Sequence, residues 1–234
     1  MVSVVMPAYN EAQYLATAIR TVHDGLMARG HQFELVVVEN GSVDATDEVL
    51  NHLADEYAEV RRLSLPEPDY GLALRQGFAA AVGDHLVIFD VDHVDLDFMD
   101  AALARLASPR RPAIVLGSKR GPGAVDRRPR HRRVITAVFS TLIKVVFGLG
   151  VPDTHGIKVL NRRAVEPLVE VCRSRSDLFG TELVLRAERA GLLVDHLPID
   201  VSELRAPRSP ILHRVPRTLV GLARLRWALW FDRV

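Results

Sequence analysis

Asp90 and Asp92 stand one residue apart at the end of an apolar run and are the first residues here whose types and spacing could do chemistry. The run before them, Leu86-Val-Ile-Phe89, reads as a strand buried on both faces. In an extended segment side chains at i and i+2 point the same way, so the two carboxylates can converge. Bare, such a pair repels by several kcal/mol at an intermediate dielectric. A divalent cation removes that repulsion, and Mg²⁺ or Mn²⁺ prefers carboxylate oxygens together with substrate phosphates. The pair is therefore the candidate metal centre.

Three further polar tracts follow apolar runs in the same way: Pro7-Ala8-Tyr9-Asn10-Glu11, Glu39-Asn40-Gly41-Ser42 and Gly117-Ser118-Lys119-Arg120. The elements that must position them alternate regularly. Strands are predicted at 3–6, 33–38, 60–64, 86–90 and 113–118, and helices near 11–29, 44–57, 71–82 and 96–107. This alternation implies βαβ units and a largely parallel sheet with helices on both faces. Ligands of such sheets bind outside the carboxyl ends of the strands, which is where all four tracts fall. Ser42 and Asp44 also stand where they could cap the helix that follows.

The chain has 234 residues and a net charge of +1, which hides an asymmetry. Residues 1–110 hold 7 Lys+Arg against 18 Asp+Glu, a net of −11, and residues 111–234 hold 23 against 11, a net of +12. An acidic front suits a metal, and a basic back suits phosphates or an anionic lipid surface. The single cysteine, Cys172, excludes an internal disulfide, fits a reducing compartment and reads as packing. Val2 to Met6 reads as a strand rather than a signal peptide, so a cytoplasmic location is expected, with peripheral contact at the membrane as an option. No Gly-x-Gly-x-x-Gly turn follows the first strand, which argues against a dinucleotide-binding oxidoreductase. No nucleic-acid-binding motif is present either.

The second half is less regular. Residues 119–133 carry seven Lys or Arg against one acid, Asp126, and read as a mobile basic loop. Residues 134–151 form an apolar segment with one charge, Lys144, too short to span a bilayer. It is either a helix lying in a membrane interface or a core helix. Residues 212–231 mix Leu, Val and two Trp with arginines, which fits membrane-surface binding or an oligomer contact.

In order along the chain, these tracts resemble the family 2 glycosyltransferases. Val2-Ser-Val-Val-Met-Pro-Ala-Tyr-Asn-Glu11 is similar to the family's opening strand and nucleotide-binding turn. Val38-Glu-Asn-Gly-Ser42-Val-Asp44, Gly71-Leu-Ala-Leu-Arg-Gln-Gly77 and Phe89-Asp90-Val91-Asp92 follow in the family's order. Gly117-Ser-Lys119, Asp153-Thr-His-Gly156-Ile-Lys158, Gly180-Thr-Glu182 and Arg205 narrow the resemblance to polyprenol-phosphate sugar synthases, such as dolichol-phosphate mannose synthase. The resemblance implies a nucleotide-sugar-binding glycosyltransferase A fold, α/β, with a central sheet flanked by helices. It implies a catalytic domain over 1–205, with a nucleotide-sugar and metal half (1–118) and an acceptor half (119–205), followed by a basic amphipathic helix at 206–234. Pro7, Tyr9, Glu11, Glu39, Asn40, Ser42, Gly71, Leu74, Val91 and Lys119 would line or shape the donor site beside Asp90 and Asp92. Lys119, Arg132 and Arg205 would meet phosphates. The family usually has two acidic residues where this chain has Glu39-Asn40. Its mannose synthases often have glutamine where Val94 stands, which leaves His93 or Asp95 as candidates for a third metal ligand.

The implied reaction is metal-dependent, inverting transfer from a GDP- or UDP-linked sugar to a polyprenyl phosphate. A phosphate acceptor is already anionic and needs cationic positioning, which the basic tract supplies. A hydroxyl acceptor would need a base, for which Glu182 and then Asp153 are the candidates.

Overall fold

The structure is a computed structural model that describes residues 1–120, 123–151, 154, 156–175, 177–201 and 211–231, the last without side chains at 211–217 and 230–231. The chain first alternates strictly. It runs β1 (Val2–Ala8), α1 (Leu15–Ala28), β2 (Phe33–Asn40), α2 (Thr46–Glu56), β3 (Val60–Leu65), α3 (Tyr70–Ala80), β4 (His85–Ile88), α4 (Leu96–Leu106) and β5 (Ile114–Ser118). A two-residue strand β6 (Val125–Asp126) and α5 (Arg130–Phe147) come next. Then follow β7 (Lys158–Asn161), α6 (Arg162–Val171), α7 (Leu178–Arg189), β8 (Val194–Pro198), β9 (Asp200–Val201) and α8 (Ile211–Phe231).

Seven strands form one sheet in the order β3-β2-β1-β4-β7-β5-β8. Its pairs are parallel except those of β7, which is antiparallel to both β4 and β5. The expected strands and helices of the first half are present within a few residues. Strands β7 and β8 were not expected. At four and five residues they carry too little alternation to stand out from their flanks.

The strands are apolar on both sides because both sides are covered. Val5, Val36, Val38, Leu86, Ile88, Ile114 and Leu116 face one core, against α3, α6 and α7. Val4, Met6, Leu35, Val37, Val87 and Val115 alternate into the other, against α1, α2 and α4. This two-sided burial explains the unbroken Val and Ile runs.

At the amino ends of the strands, the Glu34 side chain is buried. It accepts hydrogen bonds from Ser3 Oγ (2.5 Å), the Val82 N–H (2.6 Å) and the Arg61 guanidinium (2.7 Å). Burial opposes its charge, but these donors outweigh it and hold the carboxyl below its ordinary range. A folded-state pKa below the unfolded one stabilises above the unfolded value and is lost as pH falls through the folded value. Glu34→Gln is therefore expected to cost about 2 kcal/mol at pH 7 and less at pH 3. Urea denaturation at the two pH values measures this, and an equal loss at both would contradict it.

The second half corrects one expectation and refines another. The basic tract is not one loop: β6 pairs with β9, Arg128 forks onto Asp126 (2.9 and 2.7 Å), and Arg130–Arg133 already belong to α5. Helix α5 lays one side on the core, where Phe139, Leu142 and Phe147 pack beside Ile143. Ile143 is its one buried residue, while Val138 and Val145 are 63% and 78% exposed. Helix α8 packs Leu222, Leu225 and Leu229 into the core and leaves Trp227 70% exposed. Among the described residues no helix is long and apolar enough to cross a membrane.

Candidate active site

The turns after β1 and β2 are stapled to each other. Asn10 adopts a left-handed backbone (φ 53°), which asparagine tolerates better than most residues. Its N–H donates to Ser42 Oγ (3.0 Å), and its Oδ1 accepts from the Val43 N–H (2.9 Å). The Glu11 N–H donates to Thr46 Oγ1 (2.7 Å) and the Ala12 N–H to Asp44 Oδ2 (3.3 Å). Burial works against the Asp44 charge, but the Thr46 hydroxyl and the N–H groups of Thr46 and Ala12 hold its carboxyl below the ordinary range. Asp44 thus ties the two turns together and does not serve as the N-cap of α2, a position occupied by Ala45 without a side-chain bond. Glu39 turns inward and accepts from the Ser42 N–H (2.5 Å). Gly41 (φ 68°) lies so close to Glu67 and Pro68 that a Cβ would come within 2.8 Å of their backbone. Asn40 Oδ1 accepts from the Asp69 N–H (2.8 Å), which joins the β2 turn to the start of α3.

Beyond β4, Phe89 is fully buried and Asp90 begins a tight turn closed by the His93 N–H on the Asp90 carbonyl (2.9 Å). Asp90 and Asp92 therefore share one cleft through a turn, and not through the strand alternation expected. Tyr70, the first residue of α3, donates its hydroxyl to Asp90 Oδ1 (2.9 Å). Burial and then the Asp92 charge push the Asp90 carboxyl up; the Tyr70 bond, Lys158 and Lys119 oppose the rise. Burial, with Asp90 second, pushes the Tyr70 phenol well above its ordinary value, so it stays a donor. Replacing Tyr70 by Phe is expected to weaken Mn²⁺-supported nucleotide binding about tenfold, in line with other groups that orient a metal ligand. Calorimetric titration tests this, and unchanged affinity would make the bond structural only.

The cleft is lined by Pro7, Tyr9, Glu11, Asn40, Tyr70, Asp90, Val91 and Asp92. All but Tyr70 were expected from sequence. Tyr70 begins the helix whose Gly71-to-Gly77 stretch was recognised, but nothing in the local pattern points it at Asp90. Other expected donor residues act from behind the cleft. Glu39 and Ser42 build the turn. Gly71 admits the neighbouring segment, since a Cβ there would meet the Ser174 carbonyl at 2.6 Å. Leu74 is a core residue, 1% exposed, and lies outside the cleft lining. Lys119 stands beside Gly156, close enough for its charge to act on Asp90, but outside the lining. Arg132 lies in the first turn of α5, also outside it. Asp153, His155 and Arg205 lie outside the described residues.

Two hard carboxylates at a cleft rim fit Mg²⁺ or Mn²⁺, whose remaining positions water and substrate phosphate fill. Among the described residues no group of three His, Cys, Asp or Glu is arranged to hold a metal. Asp95, a candidate third ligand, instead caps α4 by accepting from the Phe98 N–H (2.8 Å). His93 Nε2 is buried without a hydrogen-bond partner, and burial, then Lys119, lowers the ring's pKa.

Glu182 is the clearest departure from expectation. It is fully buried in α7 and accepts from the Arg173 N–H (3.0 and 3.1 Å), the Ser174 N–H (2.6 Å) and Arg186 Nε (2.8 Å). A carboxylate so satisfied and so far from solvent is an anchor for the 173–175 segment and not a free base. That segment in turn meets α3, where Arg175 Nε pairs with Asp69 (3.2 Å). Burial, then the Glu182 charge, pushes the neighbouring Cys172 thiol up, as befits a packing residue.

A mostly parallel sheet with a carboxylate-rimmed cleft at its strand ends defines an α/β protein whose candidate ligand site lies outside the carboxyl ends of its strands. Residues 3–167 match the family described as Glycosyl transferase family 2, and the chain belongs to that family; it is a glycosyltransferase. It is 33% identical over 204 residues to glycosyltransferase AglD of Haloferax volcanii, covering 85% of this chain and 32% of AglD. It is 25% identical to the dolichyl-phosphate beta-glucosyltransferase of Saccharomyces cerevisiae, covering 86% of this chain and 67% of that one. This chain thus spans about a third of AglD and about two thirds of the yeast protein. Its fold is shared with glucosyl-3-phosphoglycerate synthase from Mycobacterium tuberculosis, solved with Mn²⁺ and UDP-glucose. The TM-score is 0.69 at 20% identity, over 97% of this chain and 78% of that one. Mannosyltransferase PcManGT from Pyrobaculum calidifontis, solved with GDP-Man and Mn²⁺, gives 0.63 at 20% identity, over 94% and 62%.

Proposed function

We propose that this glycosyltransferase carries out metal-dependent, inverting transfer of a sugar from a nucleoside-diphosphate sugar to a polyprenyl phosphate. The observation that carries the donor side is the single cleft joining Asp90 and Asp92 to the strand-end residues of β1 and β2. Asp90 and Asp92 would hold Mg²⁺ or Mn²⁺, which when bound offsets the charge gained by the departing diphosphate. An acceptor phosphate oxygen bonds to the anomeric carbon as the bond to the donor diphosphate breaks. That oxygen is already anionic, so no side chain need take a proton.

Three observations support the phosphate acceptor. Glu182, the first candidate base, is sequestered. Helix α5 opens on Arg130, His131, Arg132 and Arg133 with no acid in its first turn, a cluster unfavourable to the helix unless an anion is near. The yeast relative is named for dolichyl phosphate. The outward apolar residues of α5 and Trp227 of α8 suit contact with the membrane that would hold such a lipid.

The test is a panel of radiolabelled UDP- and GDP-sugars with Mg²⁺ or Mn²⁺ and a polyprenyl phosphate. Label extracted into organic solvent, dependent on both metal and acceptor, is the expected result. Transfer only to water-soluble hydroxyl acceptors would sink the acceptor assignment and leave the donor assignment standing.

A further inference from the structure

Strand β7 runs against both of its neighbours, so it begins where they end. Its first residue, Lys158, pairs with Ile88 of β4 and Leu116 of β5 and stands at the rim that carries the cleft. The residue is 5% exposed. Its ammonium donates to the Gly156 carbonyl at 2.6 Å, and a Cβ on Gly180 would come within 3.2 Å of Nζ. Lys119, one residue past β5, approaches the same Gly156, where a Cβ would stand 3.6 Å from its Nζ. Two ammonium groups thus gather around one glycine, close enough for both charges to act on Asp90. Neither lysine lines the cleft.

Burying an ammonium is costly, and packing alone would be served as well by an apolar side chain. What the charge supplies is a balance. Asp90 and Asp92 bring two negative charges and the two lysines two positive ones, so the formal sum of these four is zero. A divalent cation arriving alone therefore meets little net attraction from them. It also finds one of the two carboxylates engaged by the Tyr70 hydroxyl, and no third His, Cys, Asp or Glu arranged to hold it among the described residues. A cation that arrives on a nucleoside diphosphate is held differently. The diphosphate gives the metal further oxygens, and its own negative charge is drawn by the lysines. Resting on the reading of Asp90 and Asp92 as the metal holders, we infer that Lys158, with Lys119, makes the aspartate pair select the metal–diphosphate complex over the bare cation. Lys158 is in this sense a positioning residue, acting through its charge from outside the cleft lining.

Lys158→Met keeps the length of the side chain and removes the charge. Bare Mn²⁺ is titrated into metal-free protein and followed by the electron paramagnetic resonance of the free ion, without and then with UDP or GDP. The two nucleotides are also titrated by calorimetry with Mn²⁺ in excess. Relative to the unaltered protein, Lys158→Met is expected to bind bare Mn²⁺ about tenfold more tightly and the preferred nucleotide about tenfold less tightly. Lys158→Arg keeps the charge and should leave both affinities near those of the unaltered protein; the same opposed shifts in that variant would remove the role of charge. A lysine that merely packs would move both affinities the same way or neither, and either result for Lys158→Met overturns the inference. Should Lys158→Met fail to fold, Lys119→Met, at a half-buried position, is read by the same titrations. It should show the same opposed shifts, and a parallel or absent shift overturns the inference. An unaltered protein that binds Mn²⁺ as tightly without nucleotide as with it also overturns the inference, and leaves the aspartate pair standing as the metal site. If Mn²⁺ binds neither alone nor with nucleotide, the reading of that pair is wrong and the inference falls with it.

Discussion

Asp92→Ala is expected to lower kcat by about 10³-fold with no loss of folding stability. The two halves of that result have one cause. Asp92 raises the pKa of Asp90, so the pair is electrostatically unfavourable to the folded protein without a cation. A carboxyl whose folded-state pKa is raised costs stability once pH climbs through its unfolded value, and removing its like-charged neighbour reduces that cost. The Tm in chelator should therefore stay level or rise, while the Tm gain on adding Mn²⁺ should vanish. Transfer activity, thermal melts and a Mn²⁺ titration together decide it. Undiminished turnover would exclude the metal role, and a Tm lowered by several degrees would show that Asp92 is structural.

Glu182→Ala is expected to do the reverse, costing about 3–5 kcal/mol of stability. The carboxylate faces Arg186, which is 3% exposed at its side chain, and it receives two backbone N–H groups at the end of α6. Its loss deprives a buried guanidinium of the carboxylate it faces and releases the 173–175 segment from α3. Both are costs of desolvated groups left poorly satisfied. For a chain of this length the loss corresponds to about 10 °C in Tm. Glu182→Gln separates this role from catalysis. An anchor predicts a smaller fall in Tm, with the pH profile of kcat unchanged. A general base predicts the opposite: kcat down about a hundredfold, the acidic limb of the profile gone, and Tm unaltered.

These two carboxylates show what each level of description could reveal. Asp92 was legible because a buried strand is an unbroken apolar run, and an acid directly after one falls on the ligand rim by topology alone. The same logic pointed to the tracts holding Pro7, Tyr9, Glu11 and Asn40, each at or within a few residues of the end of a strand whose period is local. The anchoring position of Glu182 could not be read because its environment comes from elsewhere in the chain. A glutamate in a helix reads as solvent-facing until α6, α7 and the 173–175 segment are packed around it. Tyr70 escaped notice for the same reason: its partner is twenty residues away, brought close by α3 crossing from β3 to β4.

The amino-acid sequence by itself determined the alternating α/β order, the rim on which the chemistry falls and the aspartate pair at its centre, because strand burial and strand ends are written in consecutive residues. The tertiary structure alone decided that β7 enters the sheet antiparallel and that the basic tract is split between β6 and α5. It alone showed that Tyr70 holds Asp90, that Glu182 is bound away from solvent, and that the amide of Asn40 is fixed by Asp69. Each of these depends on a hydrogen bond or packing contact between distant segments. Such contacts leave no periodic mark on the chain until folding brings the segments together.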